Sequence, residues 1–146
     1  MKVSDMNEVK AAAMADEINV IPHLTNKERE LGCYVSGKIG DFPRSYVNEQ
    51  FKRAAMYIHG VHSEFTAVLP TEINTWEKLD ELLGLGITEA EIYKKFMLND
   101  IATLWNCSAI AMLPNWQASK GARIEHAIAK ELDLVVIYLP DDFNTM

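Results

Sequence analysis

Two carboxylates fall on apolar helical stripes. At ~100° per residue, Glu125 lies between Leu132 and Ala129, in the arc that also holds Ile124 and Ile128. Asp100 sits among Tyr93, Phe96, Met97 and Leu104, at helical spacings of three, four and seven. Both acids therefore face a core. Burying an unpaired carboxylate is costly, so the pair points to a site more than to packing. An ionised carboxylate can stabilise or trap a developing cation, and a carboxyl whose pKa is raised by apolar surroundings can hand over a proton.

The elements that must position these acids are legible. Residues 31–36, 65–69, 108–113 and 134–139 form apolar runs of strand length, and helical patterns separate them at residues 45–59, 75–83, 89–106 and from Ser119 to about Leu132. The first helix buries Val47, Phe51, Ala54 and Ile58, with Gly60 placed to end it. Thr88-Glu89-Ala90-Glu91 has capping-box form. Apolar strands alternating with helices predict an α/β fold of Rossmann-like (flavodoxin-like) three-layer form, with a four- to five-stranded parallel sheet. Ligands bind such sheets beyond the carboxyl ends of the strands, where the loop at Gly37 and the loop at residues 115–121 belong. Residues 1–30 read as an N-terminal helical extension, with Met6, Val9, Ala13 and Glu17 on one side of a short helix, and residues 31–146 as the domain. In the tail, Phe143 is the one sizeable anchor.

Two loops carry chemistry of their own. Ser119 is a natural N-cap, and the helix N-terminus it opens, with Lys120, Gly121 and Arg123, also suits a phosphate. Ser36-Gly37-Lys38-Ile39-Gly40 allows close backbone approach to a ligand or serves as a plain turn, but it is no dinucleotide fingerprint, since a third glycine is missing. Trp116 is either a nucleobase platform or a lid on the core.

The composition excludes several classes. A net charge of −7 over 146 residues argues against nucleic acid or an anionic membrane as partner. Cys33 and Cys107 have neither metal-ligand spacing nor a secreted disulfide pattern and read as buried thiols. His59, His62 and His126 form no metal triad. No metal is expected. The lack of a leader-like or ~20-residue apolar run predicts a cytoplasmic location.

Three motifs carry a family likeness: Tyr34-Val35-Ser36-Gly37-Lys38-Ile39, the helix segment Asn99-Asp100-Ile101-Ala102-Thr103-Leu104, and Ser119-Lys120-Gly121-Ala122-Arg123-Ile124-Glu125. Over residues 31–139 the chain resembles the nucleoside 2-deoxyribosyltransferase-like superfamily, nearest to its 2'-deoxynucleoside 5'-phosphate N-hydrolase branch and to phage and bacterial relatives. The resemblance implies Glu125 as nucleophile at the sugar C1', Asp100 assisting the departing base or positioning the nucleophile, and Tyr34 orienting Glu125. It implies substrate contacts from Ser36, Gly37, Ile39, Trp116, Ser119 and Gly121, no cofactor, and a homo-oligomer, dimer or larger. A serine at position 119, where transferases acting on free nucleosides carry an acid, favours a nucleotide. Asp41 departs from that pattern by placing a negative charge in the glycine loop.

The expected activity is therefore that of an N-glycosidase or deoxyribosyltransferase-like enzyme acting on a (deoxy)nucleoside 5'-monophosphate. The alternative is a non-catalytic protein that senses or sequesters a nucleotide or a nucleotide-derived signal.

Overall fold

Period-two alternation decides what each strand shows to each layer. In a computed structural model, which describes residues 31–145, the first strand β1 (Gly32–Ser36) is buried along its whole length. Cys33 and Val35 face one side and pack with Val47, Phe51, Ala54 and Ile58 of helix α1 (Arg44–Val61). Tyr34 belongs to the other side, with Leu104, Ile110, Met112 and Ala122. Ser36, two residues after Tyr34, shares its face.

The chain continues through β2 (Thr66–Val68), a single turn α2 (Pro70–Ile73), α3 (Trp76–Gly84), α4 (Glu89–Trp105), β3 (Ala109–Met112), α5 (Lys120–Glu131) and β4 (Val135–Tyr138). All pairings are parallel, in the order β2-β1-β3-β4. The fold is thus the expected three-layer α/β arrangement, with four strands among the described residues. The order reverses between β1 and β3, the place in an open α/β sheet where the loops diverge and leave a crevice. In register, Ser36 pairs with Met112 and Met112 with Tyr138, so these strands end at one edge.

Local chemistry explains the boundaries. Thr75, Thr88 and Ser119 cap α3, α4 and α5, their hydroxyls accepting from the N–H of Lys78, Glu91 and Ala122 at 3.1, 3.2 and 3.2 Å. Helix α1 runs through Gly60 instead of ending there. The N–H of His62 closes the helix onto the Ile58 carbonyl at 2.7 Å, so no left-handed glycine is required. The turn α2 was not expected. Pro70, anticipated only as a strand stop, occupies the first helical position, where its missing N–H costs nothing. Phe143 is buried against the α1 side of the core.

Gly37 is fixed by packing. A Cβ there would stand 2.4 Å from Leu113 Cδ1 and 2.8 Å from Leu113 Cβ. The same loops are clasped by the Leu113 N–H on the Ser36 carbonyl at 2.8 Å and the Lys38 N–H on Asn115 Oδ1 at 3.1 Å. The α5 helix therefore starts beside the Gly37 loop, as the sheet topology requires. The expected helix at residues 6–17 lies outside the described residues. Among those described, no helix is long and apolar enough to cross a membrane.

Candidate active site

The buried acids come together at the carboxyl edge of the sheet. Glu125 sits one turn into α5, 5% exposed, with both oxygens occupied. The Tyr34 hydroxyl donates to Oε2 at 2.6 Å and the Ser36 hydroxyl to Oε1 at 2.7 Å. A Tyr-x-Ser spacing on β1 makes this clamp possible, because residues two apart on a strand point the same way.

Asp100, 8% exposed on α4, accepts from Asn74 Nδ2 at 2.8 Å. The same nitrogen donates to the Phe96 carbonyl at 3.1 Å, while Asn74 Oδ1 accepts from Asn99 Nδ2 at 3.0 Å. The Phe96 carbonyl can only accept, so it settles which end of the Asn74 amide faces Asp100.

These surroundings push the two carboxyls up. Burial raises Glu125 from its ordinary 4.5 to about 7, against the pull of the Tyr34 and Ser36 hydrogen bonds. Asp100 is held well above the usual carboxylate range, by burial first and then by the charge of Glu125, with the Tyr34 hydroxyl pulling the other way. Burial and the two neighbouring carboxylates also keep Tyr34 protonated. Glu125, with two hydroxyl donors, is the better place for a negative charge, and Asp100 the better place for a proton. Environments that differ in this way let one acid carry a charge while the other keeps a proton.

Tyr34, Asp100 and Glu125 line a cavity of about 620 Å³. Gly37, Ile39, Ser119 and Gly121 line it too, whereas Ser36 reaches it only through Glu125. Trp116 does not line it. That ring packs against the α4–α5 side of the core and lies 4.2 Å from the His126 ring, with the His126 Nε2 2.8 Å from the Tyr138 hydroxyl. Lys120 and Arg123 are likewise outside the cavity wall, and Arg123 donates to the Gln117 carbonyl at 2.8 Å.

Asn74, Trp76, Phe42 and Arg44 were missed in the sequence, although each lines the cavity. Asn74 carries one weak signal, its place between the proline turn and the Thr75 cap. Cys33 and Cys107 are buried free thiols, each pushed by burial up to about 12, and lie outside the cavity wall.

Residues 31–138 match the model of a family described as a domain of unknown function, DUF4406. The chain belongs to the DUF4406 family. No curated protein and no solved structure gives a significant match. The DUF4406 match takes in all four strands and every residue of the Tyr34–Ser36–Glu125 clamp and the Asn74–Asp100 pair, and it ends at the last residue of β4. The site is thus part of the DUF4406 domain itself.

Proposed function

We propose that this protein is an N-glycosidase or deoxyribosyltransferase-like enzyme that cleaves or exchanges the base of a (deoxy)nucleoside 5'-monophosphate. The observation that carries the proposal is the clamped Glu125 carboxylate, lining the same cavity as a second carboxyl whose surroundings favour its protonated form. The resemblance to the nucleoside 2-deoxyribosyltransferase-like superfamily supports it, because the residues of its three motifs meet at one cavity. The same resemblance extends the proposal to a self-associating chain.

In this mechanism a Glu125 oxygen attacks C1' and forms a C1'–O bond while the C1'–N bond breaks. The electron pair of that bond goes to the base, which takes the Asp100 proton as it leaves. Water or a second base then attacks C1', Glu125 departs, and Asp100 recovers a proton from the incoming group. Tyr34 and Ser36 occupy one lone pair on each Glu125 oxygen and leave the other available. They hold the carboxylate in place through an oxocarbenium-like transition state. The phosphate meets Ser119 and the Gly121 N–H in the first turn of α5, both on the cavity wall.

The test is free-base release from ribo- and deoxyribonucleoside monophosphates, followed by chromatography. The proposal expects release by the wild type and a loss of roughly 10³-fold or more in Glu125→Gln. Wild-type-like turnover in that variant removes Glu125 from the mechanism. Nucleotide binding by the wild type with no base release replaces the proposal with that of a nucleotide-binding protein.

A further inference from the structure

The charges around the cavity have one predominant sign. Its acids are Asp41, Glu89, Asp100 and Glu125, and among the described residues its one permanently cationic side chain is Arg44. Arg44 is already committed: its two Nη atoms donate to the Asp80 carboxylate at 2.8 and 2.7 Å, and its guanidinium lies 5.0 Å from the Trp76 ring centroid. Asp41 is matched by Lys38, 3.4 Å away. That leaves Glu89, in the first turn of α4 and without an ion pair among the described residues, together with Glu125, since Asp100 is the one of the buried pair that favours its proton. The same wall carries four aromatic residues, Phe42, Trp76, Tyr93 and Phe96.

Carboxylates and aromatic rings lining one concave site attract the same kind of ligand. The negative face of an aromatic ring favours a cation, and acids lining a cleft concentrate positive charge. A nucleotide with a neutral base would bring only negative charge into this lining. We infer that the base of the preferred substrate is itself a positively charged heteroaromatic ring, such as a pyridinium or an N7-alkylated purine, whose cationic face is read by the acids and aromatic rings of the cavity. The inference rests on the glycosidase reading and names its substrate class.

The chemistry follows from electron counting. When the C1'–N bond of a cationic base breaks, its electron pair neutralises the base, which leaves without taking a proton. When the base is neutral, the same bond breaking requires the proton of Asp100. The two substrate types therefore lean differently on Asp100.

The experiment compares base release by the wild-type chain from nicotinamide mononucleotide and 7-methylguanosine monophosphate with release from the neutral GMP, dGMP and UMP. Reactions without enzyme serve as the baseline. The inference expects kcat/KM for 7-methylguanosine monophosphate to exceed that for GMP by about tenfold or more. It expects Glu89→Gln to narrow that ratio, and Asp100→Asn to cost GMP at least about tenfold more than it costs the methylated nucleotide. Faster release from GMP than from 7-methylguanosine monophosphate overturns the inference and leaves the glycosidase reading standing. No base from any of the five overturns both.

Discussion

Glu125 holds its proton more tightly in the folded chain than in the unfolded one, and this has a measurable consequence for stability. Its pKa is raised from 4.5 to about 7, chiefly by burial. A raised folded pKa means that the group's contribution to stability is fully present below about 4.5 and is lost as pH rises through about 7. The loss is about 3 kcal/mol once the carboxyl is ionised. Asp100 is shifted in the same direction and adds to the loss at higher pH. Glutamine at position 125 carries no charge at any pH. Glu125→Gln is therefore expected to melt at a higher temperature than the wild type at pH 8, with the gap closing by pH 5, as thermal denaturation would read. A wild type that is the more stable protein at pH 8 would show that the Tyr34 and Ser36 hydrogen bonds outweigh the cost of burying the charge. Both acids were legible in the sequence because helical periodicity alone turns them inward. Asn74 was not, since it lies between two helices where no period applies, and its hydrogen bond to Asp100 exists only once α2 packs against α4.

At the scale of elements, the loop after β1 is shaped by the end of β3. The sequence leaves Gly37 open between a turn and a ligand approach, and the structure supplies a steric reason for it in Leu113. Gly37→Ala is expected to destabilise the protein by about 1–3 kcal/mol, because the added carbon meets the Leu113 Cβ as well as its flexible tip. Urea denaturation measures this, and Leu113→Ala in the same chain should recover part of the loss through coupling between the two sites. Independent, additive losses would mean that the contact does not govern the loop. Strands and capped helices were readable because apolar runs and Thr or Ser caps are local signals. The turn α2 was not, for a proline ends a strand and begins a helix with the same ring, and only the packed chain distinguishes the two.

Over the whole molecule, alternation of strands and helices was enough to give the fold class and the edge at which the site lies. The charge of the cavity was not, because nearness in sequence misleads there. Lys120 and Arg123 flank Gly121 yet stand outside the wall, while Arg44, at the start of a helix on the opposite face of the sheet, lines it and is tied to Asp80. Trp116 likewise follows the end of β3 but turns toward His126, away from the cavity. What the fold achieves is convergence: β1 brings Tyr34 and Ser36, α4 brings Asp100, α5 brings Glu125, and the link between α2 and α3 brings Asn74. The central claim is that this convergence makes Glu125 a nucleophile at C1'. Its most direct measurement is peptide mass mapping after reaction with a 2'-fluoro-arabinonucleoside 5'-monophosphate, whose fluorine slows breakdown of a glycosyl–enzyme adduct. The account predicts release of one base per chain and a fluorosugar phosphate attached to the peptide that contains Glu125. Base release with that peptide unmodified, or with the sugar on another residue, would contradict it.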